Sequence, residues 1–220
     1  MPIAYRLLEI QRDYELQLGV HALTGEYEII YCLLDEESIS PKELQGHSRL
    51  SQTAFYQTLK RLESLGFVES EVNPADRRGL LYRLSPSMRS LVMSEHKGYR
   101  ELVINNYRYK APASHRLDEY RSFIHRRDGL AHLTSDFQVL LYLYLKSGIS
   151  NLQISGMVDV SATKFNQSLK KLREMGLIDF ERDPTDYRSK CYFVTDRTRK
   201  ALDDQHRRVF RWVAERLGIE

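Results

Sequence analysis

The chain has 220 residues, 42% of them apolar and 29% charged, with 6 prolines, which describes a globular protein of one large or two small domains and excludes a disordered or fibrous one. The longest apolar run, Val139-Leu-Leu-Tyr-Leu-Tyr-Leu145, falls far short of the roughly 18 residues of a membrane span, and Met1-Pro-Ile-Ala-Tyr-Arg6 leads into no signal-peptide core. No membrane partner is expected, a cytoplasmic location is, and a net charge of +3 names no partner by itself.

In chain order, the first predicted element is a helix from Ile3 to Leu18, with Leu7, Leu8, Ile10, Tyr14 and Leu18 on a broad stripe. Thr24 can cap a second helix reaching about Asp35, on which Tyr27, Ile30, Tyr31 and Leu34 share a face. Ser40-Pro41-Lys42-Glu43 then combines a capping serine, a proline at the first helical position and a glutamate three after the cap. After a turn at Gly46, Ser51 caps a further helix that buries Phe55, Leu59 and Leu62 and turns Gln52, Tyr56, Gln57 and Lys60 outward. Gly66 supplies the left-handed residue that closes it. Phe67–Val72 and Leu80–Leu84 read as two short strands around the polar loop Asn73–Gly79. Ser85-Pro86 starts another helix, expected to run to about Asn106, and Tyr109–Ser114 is the expected joint.

Beyond that joint the chain repeats itself at an offset of 110 residues. Leu23-Thr24 falls on Leu133-Thr134, and Ile39-Ser40 on Ile149-Ser150. Ser51-x-Thr53-x-Phe55-x-Gln57-x-Leu59-Lys60-x-Leu62 falls on Ser161-x-Thr163-x-Phe165-x-Gln167-x-Leu169-Lys170-x-Leu172. Gly66 matches Gly176, Pro74-x-Asp76-x-Arg78 matches Pro184-x-Asp186-x-Arg188, and Tyr82 matches Tyr192. Leu117, Tyr120, Phe123, Ile124 and Leu130 repeat the N-terminal stripe, and Thr195 opens a last helix bearing Leu202, Val209, Phe210, Val213 and Leu217. The expected fold is therefore mainly α with small β wings, an α+β arrangement of two tandem winged helix-turn-helix domains, residues 1–110 and 111–220, joined by a helical dimerisation-like region.

Leu62-x-x-x-Gly66-Phe67-Val68-Glu69, Asn73-Pro-Ala-Asp76-Arg77-Arg78 and Tyr82-Arg-Leu-Ser85 resemble the MarR family of bacterial transcription regulators. Leu172-x-x-x-Gly176-Leu-Ile-Asp179, Asp183-Pro-Thr-Asp186-Tyr-Arg188 and Val194-Thr195 resemble it again. The sequence departs from the family pattern in having Met88 and Thr198 where the family usually has glycine, Tyr187 for the first wing arginine, and two units in one chain. The resemblance implies a winged-helix regulator that binds a double-stranded DNA operator, in members that dimerise. Here one chain supplies both halves as a pseudo-dimer, with a homodimer as the other oligomer. It also implies a small aromatic effector and assigns the wing arginine and aspartate to DNA contact.

The residues make their own case for DNA. A helix in the major groove needs polar groups on its outward turns for base edges and positive charge for phosphate. In the first copy these are Gln52, Thr53, Tyr56 and Gln57 for bases, with Lys60 and Arg61 for phosphates; in the second, Thr163, Lys164, Asn166 and Gln167, then Lys170, Lys171 and Arg173. The two helices differ, so their half-sites can differ. In the wings, Arg78 and Arg188 are placed to enter the minor groove, with Arg77 and Lys190 as neighbouring cations. Asp76 and Asp186 are expected to pin those arginines through charge-assisted pairs, their second reading being that of simple turn residues.

The remaining features point elsewhere or nowhere. Cys32 and Cys191 lack disulfide or zinc spacing and read as small buried hydrophobes, with oxidant sensing as the other reading. Seven histidines, among them His115, His125 and His132, show no ligand spacing, so no metal or cofactor is expected. Tyr5, Tyr14, Tyr107, Tyr142 and Tyr144 could line an effector pocket or form plain core. No phosphate loop, zinc-protease helix or nucleophile elbow is present, so the chain does not read as an enzyme. The expected function is a sequence-specific regulator, a repressor. Its rivals are a winged-helix protein-interaction scaffold of the chromosome-organising type and a plasmid replication initiator.

Overall fold

A computed structural model describes residues 3–34, 36–94, 97, 130–183, 186 and 189–217. The chain divides into two compact units, Met1–Glu9 with Leu23–Tyr99 and Ile10–Ala22 with Arg100–Glu220. The helix α1, Ile3–Leu18, is shared between them. Most of the described residues are helical, and the strands form small antiparallel sheets.

In the first unit α2 (Gly25–Leu34) is buried on nearly all sides, Ile29, Cys32 and Leu33 included, while Tyr31 of the predicted stripe is half-buried. Thr24 Oγ1 accepts the Tyr27 backbone N–H at 3.5 Å, the expected cap. The helix α3 (Pro41–His47) starts with a complete capping box: Ser40 Oγ accepts the Glu43 N–H, and the Glu43 carboxylate accepts the Ser40 N–H. The Ser40 hydroxyl, which donates to the Glu43 carboxylate at 2.6 Å, and then the Ser40 backbone N–H hold that carboxyl below its usual range. The helix α4 (Gln52–Ser64) buries Phe55, Leu59 and Leu62 and ends at Gly66, whose φ of 72° is the left-handed conformation a helix-closing glycine adopts without a Cβ penalty. The strands β1 (Val68–Val72) and β2 (Leu80–Leu84) pair from Val68↔Leu84 to Val72↔Leu80. Residues 86–94 are helical, with Met88 and Val92 buried.

The second unit repeats the plan with α5 (Ser135–Leu145), β3 (Ile149–Ser150), α6 (Asn151–Ser155), α7 (Ala162–Glu174), β4 (Ile178–Arg182), β5 (Lys190–Val194) and α8 (Asp196–Leu217). Its core gathers Tyr14, Leu18, Val139, Leu143, Phe165 and Leu172 with their neighbours. From Phe137 to Leu145 every residue of α5 is buried, which accounts for the long apolar run. No helix of the described residues is long and apolar enough to cross a membrane.

The repetition reaches individual hydrogen bonds. Phe67 N–H to Leu62 O matches Leu177 N–H to Leu172 O, and Ser85 N–H to Phe67 O matches Thr195 N–H to Leu177 O, each at 3.0 or 2.9 Å. Gly176, with φ 68°, closes α7 as Gly66 closes α4.

The third strand is a departure from expectation. The sequence reading has two strands per copy, yet Ile149 and Ser150 pair with Tyr192 and Cys191, giving the sheet order β3-β5-β4. In the first unit the same contact is an isolated bridge between Ile39 and Tyr82, with N–H to O distances of 3.0 and 2.9 Å. Two residues are too short a run for a period of two to register, so only the partner strand reveals them. The expected joint at Tyr109–Ser114, the stripe Leu117 to Ile124, the helix end near Asn106 and the dimerisation-like region lie outside the described residues.

Candidate nucleic-acid interface

Each unit presents one amphipathic helix whose start is fixed by a serine cap. Ser51 Oγ accepts the Ala54 N–H at 3.4 Å, and Ser161 Oγ accepts the Lys164 N–H at 3.4 Å. With Phe55, Leu59 and Leu62, or Phe165, Leu169 and Leu172, turned into the core, the opposite face is left to solvent. Gln52, Thr53, Tyr56, Gln57, Lys60 and Arg61 are all exposed, as are Thr163, Lys164, Asn166, Gln167, Lys170, Lys171 and Arg173.

Ion pairs then decide which cations on these faces are engaged within the protein. Arg61 Nη1 is bonded to Glu26 on α2, and at the equivalent places Lys171 Nζ is bonded to Asp136 on α5 at 2.5 Å. Each therefore has an acid beside it and ties its helix to the preceding one, while its side chain stays about half exposed. Lys60 makes no ion pair among the described residues, and Lys170 has only the long 3.8 Å contact with Glu174 one turn on.

The turns entering the two exposed helices are clamped from the same places with different chemistry. In the first unit the buried Glu28 accepts the Arg49 backbone N–H at 3.1 Å and pairs with its Nε at 3.1 Å, while Arg49 Nη2 donates to Leu23 O at 2.8 Å. In the second the buried Gln138 accepts the Asp159 N–H at 3.0 Å through Oε1 and donates from Nε2 to Leu133 O at 3.1 Å. Behind them, Arg89 donates to the carbonyls of Leu33, Leu34 and Glu36 at the end of α2, and Arg199 donates to Tyr144 O at the end of α5.

Two backbone hydrogen bonds recur in the wings. Asn73 N–H donates to Gly79 O at 2.9 Å and Gly79 N–H to Asp76 O at 2.8 Å; Asp183 N–H donates to Ser189 O at 3.1 Å and Ser189 N–H to Asp186 O at 2.8 Å. Asp76 is a turn residue: its Oδ1 accepts the Arg78 backbone N–H at 3.0 Å. The expected ion pair with the Arg78 guanidinium is not formed among the described residues; the Asp76 carboxylate holds the turn through the backbone instead. Arg77 and Arg78 are both exposed. Arg188 lies outside the described residues, and with it the pair expected from Asp186. Lys190 Nζ sits 4.2 Å from the centre of the Phe180 ring, which Arg173 approaches at 5.5 Å. An open depression lies between α6, the start of α7 and β5, lined among others by Leu152, Asn166 and Lys190.

The remaining candidates sort by burial. Cys32 is buried as expected, whereas Cys191 is only half-buried on β5, a correction that follows from its place on a short sheet. Loss of water and the nearby Asp183 push its thiol pKa up, away from thiolate chemistry. Tyr14, Tyr142 and Tyr144 are core residues; burial raises the Tyr14 pKa, and Tyr144 donates to Asp203 at 2.5 Å. Tyr107, His115, His125 and the side chain of Tyr5 lie outside the described residues, and His132 is half-buried. Among the described residues no three His, Cys, Asp or Glu side chains cluster as a metal site. Sequence reasoning missed the Glu28–Arg49 clamp and the Lys190–Phe180 stack, whose partners lie on different elements. For the first, the only trace is that Glu28 lies between Tyr27 and Ile29, among the apolar residues of α2.

Residues 24–80 match the MarR family and residues 133–179 match a winged helix-turn-helix DNA-binding family. The chain is 30% identical over 106 residues to the transcriptional regulator AdcR of Streptococcus pneumoniae, covering 46% of this chain and 71% of AdcR. Solved structures similar to it include a mutant MarR from E. coli, at 25% identity, 44% of this chain, 75% of that one and a TM-score of 0.32. Another is the transcriptional repressor CouR bound to a 23-mer DNA duplex, at 24% identity, 48% and 70% coverage and a TM-score of 0.33. On the family match and the identity shared with AdcR, the chain belongs to the MarR family, and its fold is the winged helix.

Proposed function

We propose that the protein is a sequence-specific DNA-binding transcription regulator, a repressor, in which two winged-helix units of one chain act as a pseudo-dimer. The observation that carries this is the duplicated exposed face: Gln52, Thr53, Tyr56, Gln57 and Lys60 on α4, and Thr163, Lys164, Asn166, Gln167 and Lys170 on α7, each beside a β wing. Amide and hydroxyl side chains on the early outward turns suit base edges, glutamine and asparagine pairing with adenine, while the lysines further along suit phosphate. The two helices would occupy successive major grooves about one turn of DNA apart. Arg78, and Arg188 at the matching place of the second wing, would enter the adjoining minor grooves, where narrow A·T stretches attract guanidinium groups.

Lys60 and Lys170, which have no short ion pair among the described residues, are the first candidates for phosphate, with Arg61, Lys171 and Arg173 beside them. The test is selection of bound duplexes from a random library, followed by titration of the selected site at several salt concentrations. Specific binding that weakens linearly in log–log salt is expected. Equal affinity for every duplex, or none for any, overturns the reading.

A further inference from the structure

The two exposed faces differ where each meets its wing. In the second unit an open depression of about 410 Å³ has a floor of Phe165 and Tyr192, a wall at Leu152, and a polar rim that includes Asn166, Ser189 and Lys190. Leu152 is 83% exposed, a large apolar side chain with nothing over it. Lys190 also lines the depression, and its ammonium lies 4.2 Å from the centre of the Phe180 ring.

At the offset of 110 the first unit has Lys42 for Leu152, Tyr56 for Asn166, Gly79 for Ser189 and Leu80 for Lys190, while Phe55 and Tyr82 keep their aromatic character. Tyr56 sets its ring edge-on against Phe55, with centroids 5.2 Å apart and an 81° interplanar angle. In the first unit a tyrosine ring therefore lies against the aromatic residue whose counterpart lines the depression in the second. The charge at the rim changes place: Leu80, 41% exposed, stands for Lys190, and the exposed Lys42 stands for Leu152.

An apolar wall, neutral hydrogen-bonding groups and one cation, all beside the start of a groove-facing helix, match the chemistry of a deoxyribose and its phosphate. The sugar has an apolar face, and the phosphate takes the Lys190 ammonium and the Ser189 hydroxyl, leaving the Asn166 amide at the edge of the seat toward the bases. We propose that this depression seats one sugar–phosphate of the DNA strand passing the second unit, and that Tyr56 closes the corresponding seat in the first. The two halves then hold DNA unequally, and the chain lies on its operator in one orientation. This rests on the DNA-binding reading above and names the residues, 56 with 80 and 166 with 190, that set the two halves apart.

The experiment exchanges those residues. On an operator selected with the unmodified chain, phosphate-ethylation interference is mapped for that chain, for Asn166→Tyr with Lys190→Leu, and for Tyr56→Asn with Leu80→Lys. The folded state of each variant is checked by circular dichroism. The unmodified chain is expected to show one strongly interfering phosphate in one half-site without a counterpart in the other. The first variant loses that position, binds about tenfold more weakly and has a salt slope shallower by about one; the second gains a new position in the opposite half. Symmetric interference in the unmodified chain, or the same map in folded variants, overturns the seat while leaving DNA binding intact. Failure of the unmodified chain to bind any duplex overturns both.

Discussion

Glu28 and Gln138 stand at equivalent places in α2 and α5, both buried, and each holds the turn that leads into an exposed helix. The first does so as one end of an ion pair and the second as a neutral amide. Removing the carboxylate takes the counter-charge from a guanidinium that is only 24% exposed, whereas removing the amide touches only neutral groups. Glu28→Ala is therefore expected to cost about 3 kcal/mol in urea unfolding, and Gln138→Ala about 1 to 2 kcal/mol. Equal small losses would show that the Arg49 clamp carries no special weight. At the wing, Arg78 is exposed and its guanidinium makes no ion pair among the described residues, so Arg78→Ala is expected to leave unfolding unchanged. If it serves a phosphate-type contact, the variant binds DNA with a salt slope shallower by about one; an unchanged slope and affinity would remove this wing from the interface.

At the scale of elements, the ends of α4 and α7 rest on left-handed glycines. A Cβ built on Gly66 or Gly176 meets nothing within 4 Å, so substitution there strains the backbone without a clash. Gly66→Ala and Gly176→Ala are each expected to cost about 1 to 2 kcal/mol, read from thermal unfolding. No loss in either would mean that the helix end adjusts freely. The last helix, α8, carries a titratable contact: His206 stacks on Tyr144 with ring centroids 5.4 Å apart and shares a 2.8 Å hydrogen bond with Leu202 O through Nδ1. Burial pushes its pKa below the ordinary 6.5. The unfolded chain then binds the proton first, so the contribution is complete above about pH 6.5 and is lost as pH falls below it toward the folded value. His206→Phe is expected to flatten the fall in urea midpoint between about pH 7 and 5. An identical pH profile would show that this imidazole does not couple to folding.

At the scale of the whole molecule, two groove helices on one chain make a specific demand on the DNA. Gln57→Ala should relax base preference in one half-site and Gln167→Ala in the other, each by about 1 to 3 kcal/mol, as read from binding to libraries with each half randomised in turn. Both variants altering the same half would mean that two chains supply one type of helix each, which light scattering of the complex distinguishes as two chains per operator instead of one.

The sequence by itself determined the elements and their duplication. Caps are local: Ser40, Ser51, Ser150 and Ser161 each bond a backbone N–H three residues ahead, so the serine and its neighbours specify the helix start without help from the rest of the chain. The inward faces of α4 and α7 were legible for the same reason, since the helical period places Phe55, Leu59 and Leu62 together whatever surrounds them. Tertiary structure alone decided which charges remain available. The pairs Glu26–Arg61 and Asp136–Lys171 close across 35 residues, Arg49 reaches Glu28 across 21, and β3 exists only because β5 lies beside it. Periodicity reports which way a side chain faces, but hydrogen bonds and ion pairs depend on distances between elements, which are set only when the core has packed.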